Sequence, residues 1–369
     1  SSEAFGTFGF DIHHRYSDTV KQFLNIDGLP EEGTVDYYTA MAHRDHLFKG
    51  RLTTLHYSYI RVGTPAAFFL VALDTGTDLF WLPCDCPNCP RYYNRSDGSR
   101  FDLEIYSPSN STTSKPLPCS SPICGPKRRC SVKDNACAYE ILHNNASSSG
   151  ILVDDVLHLG TDTNPQDPVD VAVTLGCGKN QTGDYLNRGG RNGVFGLGMD
   201  SISVPSILAS KNITANSFSV CFVTDGRGRI EFGDKGSADQ KTTPFNLENL
   251  NPTYNITVTQ VAVGNNATTD LVFTAYFDSG YKYTYFTEPA YSFITNNFNS
   301  RITEKPYYSS SKDVFKYCYA LSANQSTYIA PNLTLTMKGG NKFNVTAPTI
   351  EFNGEVIMCF FFFLWINSV

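Results

Sequence analysis

The sequence predicts an all-β protein built from two related halves, and three observations carry this prediction. The chain has 369 residues, which is longer than one modest core usually spans. It is rich in β-forming and turn-forming residues, with 26 Phe, 21 Tyr, 28 Gly and 19 Pro. Two segments, FFLVALDTGTDLFW around Asp74 and LVFTAYFDSGYKYTYF around Asp278, repeat an apolar run that ends in Asp, a hydroxyl residue and Gly. We therefore expect two β lobes that meet at a pair of aspartates.

Residues 1–50 differ in character from the rest of the chain and form a region that resembles a pro-segment. The stretch from Tyr37 to Arg51 places apolar residues at helical spacing beside basic ones, which predicts a short basic amphipathic helix. One interpretation is a solvated surface helix without a function. The other is a pro-segment whose cations cover a cleft of ionised carboxylates near neutral pH and leave in acid.

An N-terminal β lobe is predicted over residues 51–245. The β pattern begins at Leu55, where HYSYIRVGTP leads through a turn to the first Asp strand. The segment from Tyr139 to Leu159 has two alternating runs around a polar Ser/Gly tip, which predicts a β-hairpin. NGVFGLG then runs from Asn192 to Gly198, and a short helix is expected from Ile202 to Ser210.

A C-terminal β lobe is predicted over residues 246–369. The stretch from Phe245 to Pro252 lacks a strand pattern and marks the boundary, and residues Glu288 to Phe298 are expected to be helical. The last residues, from Val356 to Val369, are strongly apolar but shorter than the ~20 residues that a membrane span needs. We expect a buried strand there, or sequence foreign to the fold, and no membrane span.

Charge and cysteine content limit the partners and the compartment. The net charge of -6 and the pI of about 5.6 disfavour nucleic acid as a partner. The chain has eleven cysteines, and seven of them lie from Cys84 to Cys137. Disulfides are favoured over zinc, because the spacing lacks a repeated CxxC pair and no His lies at ligand spacing.

Glycosylation signals point to the same compartment as the disulfides. The Asn-x-Ser/Thr acceptors are Asn94, Asn110, Asn145, Asn180, Asn212, Asn255, Asn266, Asn324, Asn332 and Asn344. We therefore predict a glycoprotein of the secretory pathway, extracellular or vacuolar, without a metal site.

Several motifs together resemble the pepsin family of aspartic proteases, and within it the cysteine-rich, nepenthesin-like type of plant secretory enzyme. They occur in the family's order: DTGTDLFWLPC at Asp74, TLGCG at Thr174, NGVFGLG at Asn192, FGDKGS at Phe232 and FDSG at Phe277. The resemblance extends from Phe5 to about Ile350. It implies a bilobal pepsin-like fold with a cleft between the lobes and the Tyr139 to Leu159 hairpin as a flap over the cleft.

The proposed catalytic residues are Asp74 and Asp278. Two carboxyls held within hydrogen-bonding distance cannot both ionise at low cost, so they share one proton. The ionised member takes a proton from a water molecule that attacks a peptide carbonyl, and the protonated member supports the oxyanion. Neither a covalent intermediate nor a cofactor is needed. The alternative is that both are Asp residues of ordinary β-turns, which the duplicated context disfavours.

Neighbouring residues are predicted to support the two acids. Gly76 and Gly280 permit the tight turns, and Thr75 and Ser279 are placed to brace the two loops through hydroxyl-to-backbone hydrogen bonds. Thr77 is placed to donate a hydrogen bond to the carboxylate of Asp74 and to favour its ionised form.

The resemblance implies further roles. Trp81 would support the flap, and Phe195 and Gly196 would lie behind the first Asp loop, although plain core packing explains Phe195 almost as well. The flap would carry Tyr139, and His143 or Leu142 stands where the family has a Tyr.

Two further departures from the family pattern stand out. Tyr281 replaces the short hydroxyl residue that the family has after the second Asp-x-Gly. The Phe195-Gly196 segment has no counterpart after Asp278, because a similar offset falls at about position 400. We expect an incomplete second lobe, from a truncated or alternatively spliced product, with exposed edge strands and apolar surface.

The odd cysteine count is consistent with an incomplete lobe. Cys318 and Cys359 are a candidate pair, whereas Cys177 or Cys221 would lack a partner.

Three functions are compatible with these features. The favoured one is a monomeric aspartic endopeptidase that binds an extended protein or peptide substrate and cuts it in acid. In the second, the fold is catalytically impaired and binds peptides. The third, glycoside hydrolysis by two carboxylates, ranks last because no aromatic sugar platform stands out in the sequence.

Overall fold

The computed structural model of the chain describes residues 8–14, 17, 19–20, 56–89, 91–94, 100–125, 128–143, 146–161, 168–187, 192–222, 227–248, 252–268, 270–281, 284–307, 317–320, 330–345, 349–351, 357–360 and 362–364. The basic helix predicted from Tyr37 to Arg51 lies outside the described residues.

Strands dominate the described part of the chain, and the predicted mainly β class is confirmed. The strands are β1 Phe8–His14, β2 His56–Val62, β3 Ala67–Asp74, β4 Trp81–Asn88, β5 Tyr92–Asn94, β6 Arg100–Asp102, β7 Lys115–Pro116, β8 Arg129–Ser131, β9 Ala136–His143, β10 Ala146–Thr161, β11 Val169–Thr182, β12 Val194–Gly196, β13 Phe218–Phe222, β14 Arg227–Phe232, β15 Asn255–Val263, β16 Asn266–Thr268, β17 Phe273–Tyr276, β18 Thr284–Phe286, β19 Lys305–Pro306, β20 Cys318–Ala320, β21 Leu333–Met337, β22 Lys342–Val345, β23 Thr349–Glu351, β24 Ile357–Phe360 and β25 Phe362–Leu364. The α-helices are α1 Asp184–Asn187, α2 Val204–Ser210 and α3 Ala290–Asn299, with 3₁₀ turns at Pro108–Asn110 and Pro122–Cys124.

The first half of the chain forms a twelve-stranded sheet in the order β13-β14-β1-β2-β3-β12-β4-β11-β10-β9-β8, with β7 paired to β10. The central strand β3 is buried along most of its length because its alternate residues face two different apolar clusters. Val71 and Leu73 lie in one cluster, and Leu70 and Ala72 lie in the other. The strand that ends at Asp74 is therefore held on both faces.

The described part of the second half contains two smaller sheets and the parallel strand pair β18–β25, with an apolar cluster of its own. One has the order β16-β15-β21-β22 with β17 paired to β15, and the other has the order β19-β20-β24-β23. Helix α3 packs on this core through Ile294 and Phe298, which are fully buried.

The two Asp strands have equivalent neighbours in the same register. In the first half, Ala72 of β3 lies opposite Tyr57 of β2, and in the second half Tyr276 of β17 lies opposite Asn255 of β15. The next three pairs along each ladder keep this correspondence. The sequence repeat around Asp74 and Asp278 is thus a repeat of strand pairing.

Both predicted helices are present. Ser203 caps α2 by accepting a hydrogen bond from the Ser206 amide, and Pro205 occupies its first turn, where a proline costs no intrahelical bond. Helix α3 begins directly after Pro289.

The predicted flap hairpin is formed by β9 and β10, but its tip is not the Ser/Gly segment. The pairing of the two strands begins with Ala146 opposite His143. Ser147 to Ser149 lie within the ladder instead, and the ladder has an irregularity between Ser149 and Gly150. The prediction of the tip was wrong because these small polar residues are paired within strand β10 and do not form a turn.

Five disulfides link ten of the eleven cysteines: Cys84–Cys177, Cys86–Cys89, Cys119–Cys130, Cys124–Cys137 and Cys318–Cys359. The disulfide interpretation and the Cys318–Cys359 pair are confirmed. Of the two cysteines expected to lack a partner, Cys177 is bonded and the exposed Cys221 is free. Within the described ranges, no helix is long and apolar enough to cross a membrane.

Candidate active site

The site is built where the two Asp strands end. Asp74 is the last residue of β3 and is 1% exposed, and Asp278 follows β17 by two residues. Behind the first of them, β12 runs parallel to β3 and sets Phe195 beside Leu73 and Gly196 beside Asp74. Phe195 and Gly196 therefore lie behind the first Asp loop and also belong to the buried core.

Thr75 and Ser279 brace the two loops reciprocally. The Thr75 amide donates to the Ser279 hydroxyl at 3.0 Å, and the Ser279 amide donates to the Thr75 hydroxyl at 2.9 Å. Each hydroxyl donates in turn to a backbone carbonyl of the opposite strand, Thr75 to Phe277 and Ser279 to Leu73. Four hydrogen bonds thus fix the separation of the two Asp loops.

The two carboxyls are held unequally. Oδ1 of Asp74 accepts the Gly76 amide at 2.8 Å, and Oδ2 accepts the Thr77 hydroxyl at 2.7 Å. Oδ1 of Asp278 accepts the Gly280 amide at 2.8 Å, and the carboxyl also shares a hydrogen bond with Asp74. Because both oxygens of Asp74 accept a donor from their own loop, Asp74 is the better placed of the two to carry the negative charge.

The carboxyl oxygens come so close to Gly76 and Gly280 that only glycine fits at these two positions. A Cβ on Gly76 would lie 2.4 Å from Oδ2 of Asp278, and a Cβ on Gly280 would lie 3.0 Å from oxygens of both Asp74 and Asp278. Any side chain at either position would push the carboxyls apart.

The environment raises the pKa of Asp278 to about 7. The largest cause is burial, which penalises the charged form, and the second is the negative charge of Asp74. Asp278 can therefore keep its proton in weak acid.

Tyr281 occupies the position that Thr77 has in the first loop. Its ring packs edge-on against Tyr285 with 6.1 Å between ring centroids, and its amide donates to the Asp278 carbonyl. The phenol ring thus joins an aromatic pair.

The flap base packs on Trp81. Gly176 of β11 lies between Trp81 and the ring of Tyr139, and a Cβ there would lie 2.7 Å from that ring. The Tyr139 hydroxyl shares a hydrogen bond with Ser148 of the opposite flap strand, and burial raises the pKa of Tyr139. His143 ends β9 beside the turn, but its side chain is outside the described part, whereas Leu142 is exposed.

Three residues of the site have roles that the sequence did not predict, although Asn192 begins the NGVFGLG motif. Tyr185 of α1 packs edge-on against Trp81, and burial together with the charge of Asp74 raises its pKa. Asn192 accepts the Leu70 amide and so holds the first Asp strand, and the Tyr254 hydroxyl donates to the Leu197 carbonyl. All three act through long-range contacts, which only the fold creates.

The structure thus brings together Asp74, Thr75, Gly76, Thr77, Asp278, Ser279 and Gly280. It places Phe195 and Gly196 beside the end of β3, and Trp81 and Tyr139 beside Gly176. It does not describe the His143 side chain, and it packs the ring of Tyr281 against Tyr285. No group of three or more potential metal ligands occurs among the described residues.

Family models and relatives match this chain in both halves. The family model described as Xylanase inhibitor N-terminal matches residues 56–234, and the model described as Xylanase inhibitor C-terminal matches residues 253–364. Aspartyl protease family protein 1 of Arabidopsis thaliana is 48% identical over 374 residues, covering 94% of this chain and 73% of that protein. Aspartic proteinase nepenthesin-1 of Nepenthes gracilis is 26% identical over 305 residues, covering 76% of this chain and 64% of that protein.

Among solved structures, Basic 7S globulin from soybean has a TM-score of 0.67 at 16% identity, covering 99% of this chain and 88% of that one. At this identity the likeness shows the fold alone.

Proposed function

The chain belongs to the family of pepsin-like plant aspartic proteases, and we propose that it is an endopeptidase that hydrolyses peptide bonds in acid. The observation that carries the proposal is the pair of carboxyls, Asp74 and Asp278, which share a hydrogen bond in a braced and largely buried setting. Two acids in such a setting keep one proton between them over the acid range.

The chemistry follows from the unequal environments of the two acids. The ionised Asp74 takes a proton from a water molecule whose oxygen bonds to the carbonyl carbon of the substrate, while protonated Asp278 donates to the carbonyl oxygen. The C–N bond of the tetrahedral intermediate then breaks as Asp74 gives its proton to the nitrogen and Asp278 takes a proton from a hydroxyl of the intermediate, which restores the starting state of both acids. The raised pKa of Asp278 supports its role as the acid.

The surrounding residues have positioning roles in this proposal. Thr75 and Ser279 keep the carboxyls at one distance, and Thr77 stabilises the charge of Asp74. Trp81 and Tyr139 support the flap, with His143 near its tip.

The substrate would be an extended protein or peptide, lying between the lobes and under the flap. We propose the organisation expected from the sequence: a pro-segment-like region at 1–50, a lobe at 51–245 with Asp74 and the flap, and a lobe at 246–369 with Asp278. The five disulfides support a place in the secretory pathway.

Cleavage of a denatured protein at pH 4, with and without pepstatin, tests the proposal. The chain should cleave, pepstatin should block cleavage, and Asp74→Asn should lower the rate by at least about a thousandfold because the base is lost. Asp239→Asn is a matched control at an exposed aspartate and should leave the rate unchanged. A chain that keeps its turnover after Asp74→Asn would rule the proposal out.

A further inference from the structure

The ten Asn-x-Ser/Thr acceptors of the sequence differ in how the fold presents them. We propose that Asn110, Asn180 and Asn212 each carry an N-linked oligosaccharide, and that Asn255, which has the same sequence signal, carries none. The inference rests on the secretory placement in the proposed function, because such oligosaccharides are added in that pathway. It does not depend on catalysis.

Asn212 and Asn255 give the most direct comparison, because both begin the tripeptide Asn-Ile-Thr. The motif therefore ranks the two acceptors equally. In the fold Asn212 is exposed, whereas Asn255 is buried and only 3% exposed. The structure thus separates two sites that the sequence does not.

Asn212 lies just beyond the end of α2, on a backbone that is held in place. Its amide donates to the Ala209 carbonyl, and the Ile213 amide donates to the Leu208 carbonyl. Its φ of +56° lies in the left-handed region, which asparagine adopts at helix ends. The carboxamide makes no side-chain hydrogen bond within the described part of the chain, so its nitrogen is available to a sugar.

Asn110 and Asn180 are also exposed on a fixed backbone. Asn110 ends the 3₁₀ turn Pro108–Asn110, where its amide donates to the Ser107 carbonyl at 3.0 Å. Asn180 lies on β11, opposite Ser149 of β10. Neither carboxamide has a hydrogen bond among the residues that the structure describes. Because an oligosaccharide is bulky and hydrophilic, it needs a surface position of this kind.

Attachment is a transfer from a lipid-linked oligosaccharide diphosphate. The Nδ2 atom of the asparagine forms a bond to the anomeric carbon of the first N-acetylglucosamine, as the bond from that carbon to the diphosphate oxygen breaks. The amide loses one proton, and the lipid diphosphate leaves. The new linkage is neutral, so the acceptor needs space and solvent and no charged partner.

The fold leaves no room for a sugar at Asn255. This residue begins β15 and pairs with Tyr276 of β17, the strand that leads to Asp278. Its Oδ1 accepts from Nδ2 of Asn246 at 3.0 Å, and its carbonyl accepts the Asn246 amide at 2.7 Å. A sugar there would bury hydroxyl groups without partners or break the strand pairing, and both are costly. A chain modified at Asn255 would therefore not reach the native fold.

The test maps the acceptors on the full chain, secreted from plant cells behind a supplied secretion signal. A peptide N-glycosidase that accepts plant glycans releases the sugars in heavy-oxygen water, which converts each modified asparagine into a labelled aspartate. Peptide mass spectrometry should find the label at Asn110, Asn180 and Asn212 in most secreted molecules. It should find no label at Asn255.

Single substitutions check each site on the intact protein. Asn110→Gln, Asn180→Gln and Asn212→Gln should each lower the mass of the secreted chain by one oligosaccharide. Asn216→Gln is the matched control, because Asn216 is exposed and close to Asn212 in the sequence but begins no acceptor tripeptide. It should leave the glycan mass unchanged.

Two results with this preparation would overturn the proposal. One is an unlabelled Asn110, Asn180 or Asn212 in the secreted, folded chain, and the other is a labelled Asn255 in the same molecules. Because the secretion signal is supplied, either result would count against the assignment of the acceptors and not against the secretory placement. A chain that carries no sugar when isolated from its own tissue would overturn the inference together with that placement. Pepstatin-sensitive cleavage at pH 4 by the same preparation tests the endopeptidase proposal separately.

Discussion

At the scale of single residues, the difference between the two acids decides which one holds the proton. Asp74 accepts hydrogen bonds on both oxygens from Gly76 and Thr77, whereas burial and the nearby charge raise the pKa of Asp278 to about 7. The Asp-x-Gly motif is the same in both halves, and in the sequence only Thr77, in whose place the second loop has Tyr281, distinguishes the two acids. The assignment comes from the hydrogen-bond donors to Asp74, above all the hydroxyl of Thr77.

The brace between the loops gives the first prediction. Thr75→Val removes a hydroxyl that accepts from the Ser279 amide and donates to the Phe277 carbonyl. Because both backbone groups then lack their partner, we expect the free energy of unfolding to fall by about 1 to 3 kcal/mol. Urea unfolding measures this, and kcat/KM should fall as well because the acids are no longer held at one distance. Thr75→Ser is the control and should retain most of the stability and most of the kcat/KM. Equal losses in Thr75→Val and Thr75→Ser would contradict a role for the hydroxyl.

The second prediction concerns pH and stability. The pKa of Asp278 is about 7 in the folded chain and about 3.9 in an unfolded one. Between these values the folded chain holds a proton that the unfolded chain has lost, so the free energy of unfolding should decrease as the pH rises from 4 to 7. The decrease should not exceed roughly 4 kcal/mol, since one pKa unit is worth about 1.4 kcal/mol.

Urea titrations of the wild type and Asp278→Asn at pH 4 and pH 7 check this. The variant should show a smaller decrease between the two pH values. An identical decrease in both chains would mean that Asp278 is not the group responsible.

At the scale of elements, the flap depends on how its first strand packs on the sheet below. Gly176 leaves the space in which the Tyr139 ring lies against Trp81. The third prediction is that Gly176→Val displaces β9, destabilises the fold by about 1 to 3 kcal/mol and lowers kcat/KM. The matched control is Gly160→Ala on β10, where the nearest atom to the new Cβ would be at 3.5 Å. Thermal unfolding and peptide cleavage of both variants test this prediction. If Gly176→Val kept the stability and kcat/KM of the wild type, the position of the Tyr139 ring would not matter for the flap.

Element positions were predictable where local chemistry decides them. Helix α2 begins after Ser203 and Pro205, a cap and first turn that the sequence displays. The hairpin tip was placed wrongly, because Ser147 to Gly150 carry turn-forming residues that pairing with β11 holds in a strand. Tertiary pairing outweighed local turn preference there.

At the scale of the whole molecule, one disulfide joins two strands of the large sheet that are distant in sequence. Cys84–Cys177 links β4 to β11 across a separation of 93 residues. The fourth prediction is that replacing both cysteines with alanine lowers the free energy of unfolding by about 2 to 5 kcal/mol, as for long native loops. Cys221→Ser, at the free and exposed cysteine, should have little effect. Denaturant unfolding of both variants tests this prediction. Equal free energies of unfolding for the double variant and for Cys221→Ser would contradict a structural role for the Cys84–Cys177 bond.

The two-part architecture could be predicted because it rests on a repeat visible in the sequence. Asp74 and Asp278 each follow an apolar strand, and that pattern was sufficient to expect their meeting. The contacts of Tyr185 with Trp81 and of Asn192 with β3 were not predictable, since each joins residues that are at least about a hundred positions apart. Among the disulfides, the sequence suggested only the Cys318–Cys359 pair, and the other four pairs became known from the fold.

The central claim is that Asp74 and Asp278 hold one proton between them, and carboxyl NMR measures this most directly. In a chain labelled with carbon-13 at the aspartate carboxyls, the Asp278 signal should titrate near pH 7. In Asp74→Asn its midpoint should move to lower pH, because one of the two main causes of the raised pKa, the charge of Asp74, is gone. A midpoint that is the same in both chains, or an ordinary value near 4 in the wild type, would contradict the claim.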